Sequence, residues 1–220
     1  TRALLMRQRI MVVNALRGHL AEFGLIAPQG AKGLADLLER SFRPDGTGPI
    51  PSLARAALAP LVSQVMQLQG AIKAIDAELL AWHRQNAASR RLETSPGIGF
   101  ITASAIAATV TDPSHFRSGR QFAAWLGLVP RQSSSGGKER LGSISKMGDR
   151  YLRTLLVVGA TSVIRYARGK NAAGAAWING LLARRPARLV SVALANKTAR
   201  IAWAVLTEER DYRKPALTAG

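Results

Sequence analysis

The chain has 220 residues, enough for one large domain or two small ones with a substantial core. Its 31 Lys and Arg against 13 Asp and Glu give a formal charge of +18, which repels itself unless an anion binds. Nucleic acid is the first candidate and an acidic membrane surface the second, while the lack of cysteine excludes disulfides and thiolate metal sites.

Residues 1–23 are predicted helical, because Leu5, Val12, Leu16, Leu20 and Phe23 recur at helical spacing, and Gly24 is placed to end the helix. Residues 30–41 form a second, short helix, and Arg43 to Pro51 is a turn-rich linker. The clearest periodicity follows. Leu58, Leu61, Val65, Leu68, Ile72, Ile75, Leu79 and Trp82 alternate in steps of three and four, a heptad seam on one long helix from about Ser52 to Leu92. Such a stripe needs a partner, since an isolated amphipathic helix is only marginally stable. Helix 1–23 of the same chain or the same helix of a second chain would serve. The expectation is an intramolecular hairpin that also dimerises.

Beyond residue 92 the character changes. Pro96-Gly97-Ile98-Gly99 is a tight turn before an alanine-rich helix from about Phe100 to Val110, which Asp112-Pro113 breaks. Ser118 to Leu126 is another helix. Leu128 to Arg131 and Leu141 to Ile144 are short strands flanking the loop 133–137. Asp149 is an N-cap for a helix to about Arg168, Asn171 caps one that stops at Pro186, and the last helix spans about Ala187 to Glu209. On it Leu189, Val192, Asn196, Ala199, Trp203 and Leu206 share a stripe, so Asn196 needs a buried hydrogen-bond partner. The fold class is therefore mainly α: a helical coiled-coil hairpin over 1–92, then a helical domain over 93–220 with a short β-hairpin. No membrane partner is expected. Leu155 to Ile164 is too short to span, the stretch from Val190 to Leu206 is interrupted by Asn196, Lys197 and Arg200, and no signal peptide is visible. His19, His83 and His115 lack metal-ligand partners at short spacing and are expected to be structural.

The charge is uneven. From Arg150 to Thr207 there are ten Lys or Arg and no acidic residue, so a polyanion belongs on this part. A solvated basic face is the plainer reading, but solubility does not require a single sign. Two segments carry possible chemistry. In Ser95-Pro-Gly-Ile-Gly99 the glycines permit a backbone that turns N–H groups outward, and the following helix adds its free N-terminal donors, so Gly97 and Gly99 are candidate phosphate contacts. An ordinary tight turn wants the same residues. In Arg131-Gln-Ser-Ser-Ser-Gly-Gly-Lys-Glu-Arg140 three hydroxyls stand beside two glycines and basic residues. The spacing is not that of a nucleotide-binding loop, with Glu139 where Ser or Thr is required. A hydrophilic connector fits this composition. So does a serine nucleophile for phosphoryl transfer, with Arg131, Lys138, Arg140, Lys146, Arg150 and Arg153 to stabilise charge on phosphorus.

The ordered runs Ser95 to Gly99, Phe122-Ala-Ala-Trp-Leu-Gly-Leu-Val-Pro-Arg131, Ser134-Ser-Gly-Gly-Lys-Glu-Arg-Leu-Gly142 and Ile144-Ser-Lys-Met-Gly-Asp-Arg-Tyr-Leu-Arg153 resemble the C-terminal domain of the insertion sequence family 110 transposases, nearest the 1111 subgroup. The likeness runs from about Thr94 to Trp203. Residues 1–92 resemble the helical region before that domain, including Asn14-Ala-Leu-Arg-Gly18 and Leu20-Ala-Glu-Phe-Gly24. Separately, Ser95 to Gly99 followed by a helix resembles the hairpin of a helix-hairpin-helix DNA-binding motif. The family resemblance implies a DNA recombinase with a catalytic serine in a Ser-Gly motif, here Ser135-Gly136, with Ser134 one residue away. It implies a structured noncoding guide RNA, a homodimer or higher oligomer, and a bacterial, cytoplasmic, nucleoid-associated protein. It also implies a preceding RuvC-like domain whose four carboxylates hold magnesium. No segment of this chain resembles that site, so no cofactor or metal is expected here, and the chain alone is not expected to complete transposition. The alternative is a non-catalytic module for nucleic-acid binding and dimerisation.

Overall fold

The computed structural model describes residues 1–43, 48–132, 141–167 and 175–213. The loop Ser133 to Arg140 and the predicted cap Asn171 lie outside these residues. The fold is mainly α, as the periodicity predicts. Two compact units divide it, Thr1–Glu78 and Leu79–Gly220.

In the first unit, helices α1 (Arg2–Glu22), α2 (Ala31–Ser41) and the first half of α3 (Ser52–Gln85) share one core. Val12, Leu16 and Leu20 meet Leu34, Leu37 and Leu38 and, from α3, Leu58, Val65 and Leu68. The Arg2 guanidinium, at the start of α1, bonds both oxygens of the Asp76 carboxylate late in α3. With Leu20 in the same core as Leu58, α1 and α3 must run antiparallel. The first half of the heptad seam thus finds its partner within the chain. Its last position, Trp82, is 40% exposed.

The helix expected to continue to Leu92 stops at Gln85. Asn86 takes an extended backbone, and its side chain accepts the Ser89 N–H at 2.8 Å, starting α4 (Ala87–Glu93). Buried His83 fastens the break, with Nδ1 2.7 Å from Ser89 Oγ and Nε2 2.8 Å from the Glu93 carboxylate. The seam ends at Trp82, and the N-cap at Asn86 then starts a new helix.

The second unit is organised around α9 (Ala187–Glu208). Packed on it are α4, α6 (Gly119–Trp125), α7 (Arg150–Ala167), α8 (Ala175–Leu182) and a 3-10 turn (Pro113–His115), while α5 (Phe100–Thr109) joins through α4 and α7. Ala195, Ala199 and Ala202 let neighbouring helices approach closely, and Leu92, Ile106, Phe122, Leu126, Leu152 and Leu156 fill the space around them. The buried stripe is rotated from the predicted one. It runs through Val190, Ser191, Ala195, Thr198, Ala199, Ala202 and Val205, and Leu189 is 56% exposed. Small side chains, which bulk-weighted periodicity discounts, mark the closest helix contacts here. Among the described residues α9 has the length and hydropathy of a membrane span, but half of that stretch is buried inside this unit.

Candidate nucleic-acid interface

Strands β1 (Pro130–Gln132) and β2 (Leu141–Ile144) pair antiparallel, with Pro130 opposite Ile144 and Gln132 opposite Leu141 across one register irregularity. Proline at the first position of a short edge strand removes no needed donor. The strands are joined by residues 133–140, so the candidate nucleophiles Ser135 and Ser134, with Lys138 and Arg140, lie outside the described residues.

The foot of this hairpin is tightly specified. Four consecutive carbonyls each receive a donor from a different place. Leu126 O accepts from Arg153 Nη1 at 2.9 Å, Gly127 O from the Lys146 N–H at 3.1 Å, Leu128 O from Asn196 Nδ2 at 3.1 Å, and Val129 O from the Ser145 N–H at 2.8 Å. Asn196 is the polar residue whose partner the stripe on α9 demanded. Gly148 (φ +93°) backs against the Trp125 carbonyl, which any side chain there would strike. Buried backbone polar groups must be satisfied, and here their satisfaction fixes where the two strands leave the body of the unit.

Four of the predicted basic residues gather at this foot. Arg131 is exposed, with Nη2 3.2 Å from Ser145 O. Lys146 is exposed in the left-handed region at φ +55°, an uncommon conformation for a residue with a Cβ. Arg150 is exposed at the start of α7, where Asp149 caps the helix by accepting the Leu152 N–H at 2.8 Å. Arg153 is half-buried, and one guanidinium nitrogen is committed to the Leu126 carbonyl. It is a positioning group first, a role its charge alone did not reveal.

Gly97 and Gly99 lie elsewhere. The Ile98 N–H bonds Ser95 O at 3.1 Å, and Gly97 has φ +85°, the turn that Pro followed by Gly builds. Gly97 packs against Gly159 on α7, so the turn is seated on a helix, while Gly99 is exposed as the N-cap of α5. Nine residues of α7 separate Arg150 from Gly159, roughly 13 Å of helix at 1.5 Å per residue. Both predicted contact regions therefore lie along one helix. Arg150, Arg165, Arg184, Arg185 and Arg188 are exposed and make no ion pair among the described residues. Their charge is available to an outside polyanion.

Among the described residues no three His, Asp or Glu side chains converge. These residues do not fit a magnesium cage. Sequence reading missed the four-carbonyl clamp and an aromatic cluster at Phe116, Phe122 and Trp125. Phe122 and Trp125 stand three apart on a helix, a weak signal of a shared face.

Residues 89–174 match the family described as the IS116/IS110/IS902 transposases. Over 212 residues the chain is 47% identical to a Pseudomonas aeruginosa protein named "Probable family 20 transposase", covering 96% of this chain and 63% of that one. It is 38% identical over 209 residues to the transposase for insertion sequence element IS1111A of Coxiella burnetii, covering 95% and 57%. It is 39% identical over 216 residues to the transposase for insertion sequence element IS1328 of Yersinia enterocolitica, covering 97% and 63%. The chain spans about three fifths of the length of these relatives.

Proposed function

The chain carries the transposase domain of the IS116/IS110/IS902 family at residues 89–174, and from it we propose that the protein supports DNA strand exchange in the transposition of an insertion sequence. The hairpin holds the nucleophile. Ser135 is the first choice and Ser134 the second. The single observation that carries this reading is the foot of the hairpin, where four successive carbonyls are pinned and Arg131, Lys146, Arg150 and Arg153 collect. A serine that attacks phosphorus must be held in line, and the pinned ends of the segment that carries Ser134 and Ser135 support that reading. The Lys146 strain is of the kind that functional sites retain.

The step balances without a redox partner. Serine Oγ loses its proton and bonds phosphorus, and the displaced deoxyribose oxygen leaves with a proton as a hydroxyl. A hydroxyl of the exchanging strand then attacks the phosphoserine link and frees the serine. Guanidinium and ammonium groups stabilise the negative charge that builds on the non-bridging oxygens. The seated turn at Gly97 to Gly99 and the exposed arginines hold the DNA backbone without reading its bases. A guide RNA, a second copy of the chain and a place at the bacterial nucleoid belong to the same proposal, as does magnesium chemistry supplied from outside these residues.

Ser135→Ala and Ser134→Ala are to be made separately in a full-length relative and assayed for strand exchange. Loss with Ser135→Ala alone is expected, loss with Ser134→Ala alone moves the nucleophile by one residue, and full activity in both overturns the serine mechanism. The exposed arginines favour a second reading, in which this chain binds nucleic acid without chemistry. Under either reading, DNA affinity should fall steeply with salt, because each neutralised phosphate releases counterion.

A further inference from the structure

A cavity of about 330 Å³ opens beside the end of α6, bordered by Thr111, Asp112, His115, Phe116 and Trp125. Its wall is an aromatic stack. Phe122, fully buried, lies nearly parallel to Trp125 (centroids 5.7 Å apart, 23°) and meets Phe116 edge-on (5.1 Å, 74°). Phe116 also leans on Trp125 (5.3 Å, 55°). The indole is thereby braced by two rings, yet 37% of the residue remains exposed. An immobilised, open aromatic face is what a sequence-tolerant base-stacking platform requires, because its ordering cost is met before the ligand arrives.

The rim adds polarity of a specific kind. Asp112 Oδ1 accepts the Ser114 N–H at 2.8 Å, and Oδ2 lies 3.6 Å from His115 Nε2. Hydrogen bonds from the Ser114 side chain and backbone, helped by His115, hold the Asp112 carboxyl below its usual range, so it stays an acceptor at neutral pH. Arg117 and Arg120 are exposed just beyond. An isolated carboxylate would repel a phosphate chain, but one placed beside an aromatic face and flanked by arginines suits a base edge rich in N–H donors, with the phosphates on the arginines.

We propose that this cavity receives an unpaired nucleobase from single-stranded nucleic acid, stacked on Trp125 with its N–H groups donated to Asp112. The proposal rests on the strand-exchange reading, since exchange must unpair bases. Guanine is favoured over thymine. Guanine presents two adjacent N–H donors, whereas the single thymine N–H is flanked by two carbonyls that oppose the carboxylate.

The test uses the full chain and fluorescence anisotropy with a labelled thymine-only single strand, the same strand carrying one guanine, and a duplex of equal length. Trp125→Leu should weaken single-strand binding about tenfold, the size of one lost stacking contact. It should leave duplex binding and the salt slope unchanged, because stacking releases no counterion. Trp125→Phe should restore most of the loss. Asp112→Asn, which keeps a capping side chain, should erase the guanine preference. Equal loss on single strand and duplex, no loss on either, or an unchanged guanine preference in Asp112→Asn overturns the proposal. If Trp125→Leu does not fold, Trp125→Phe and Asp112→Asn decide. Wild-type protein that binds neither DNA form overturns the nucleic-acid reading as a whole, whereas duplex binding indifferent to these substitutions sinks only the base pocket.

Discussion

Gly159→Ala is the sharpest test of how the Gly97 turn is seated. In a helix interior, alanine normally stabilises by about 1 kcal/mol over glycine. Gly159 should reverse that sign. A Cβ there would fall far inside contact distance of the Gly97 carbonyl, and a Cβ on Gly97 would in turn lie 3.1 Å from the Gly159 backbone. The obstacle is main chain, so it cannot rotate aside without disturbing the Ser95–Ile98 turn bond. A clash this deep with main chain belongs in the upper part of the overpacking range, about 2–3 kcal/mol, for a net loss of about 1–2 kcal/mol after the helix gain. At about 2–4 °C per kcal/mol for a unit of this size, the melting temperature should fall by about 2–8 °C. Gly180→Ala, on α8 in the same unit with open space at the Cβ, is the control and should raise it. Calorimetry of both variants settles the matter. If Gly159→Ala melts at or above wild type, the turn is not packed on α7 as described.

Three further outcomes follow from named contacts. Asn196→Ala leaves the Leu128 carbonyl without its donor and should cost about 1–2 kcal/mol, with hydrogen exchange at Ser145 and Lys146 accelerating more than in the α9 core. Asn86→Ala removes the cap of α4 and should cost about 1 kcal/mol in urea melts, while Asn86→Asp should be nearly neutral. Arg153→Lys retains the charge but not the fork that reaches Leu126 O, so strand exchange in a full-length relative should fall while DNA affinity changes little.

What the sequence disclosed was whatever rests on local chemistry. Gly24 ending α1, Asp149 capping α7 and the Pro-Gly turn are set within a few residues and stand where expected, while the first strand begins at Pro130 rather than Leu128. Asn196 was legible for a different reason: a polar side chain on an apolar face implies a partner even when the partner, Leu128 O, is 68 residues away. Reading failed where tertiary contact chooses between equal local options. The break at Asn86 needed the His83–Ser89–Glu93 bonds to be visible, and the buried face of α9 was decided by alanines pressed against other helices. Arg153 was legible as a charge but not as a clamp on a carbonyl 27 residues away. At the site, the basic residues at the hairpin foot were found, whereas Trp125 and Asp112 acquire meaning only when the fold brings Phe116 against Trp125 and Asp112 to the same cavity.

The central place of α9 bears on the order of events during synthesis. Helices α4, α6, α7 and α8 all lean on a segment made after them, so the second core lacks its keystone until about residue 208 has left the ribosome. The first unit closes on itself much earlier, with its core complete by Leu68. A nascent chain therefore carries one finished helical unit ahead of a second whose apolar faces wait for their partner, and an interruption before α9 would release a product with its first unit intact and its candidate DNA-handling surface unsupported.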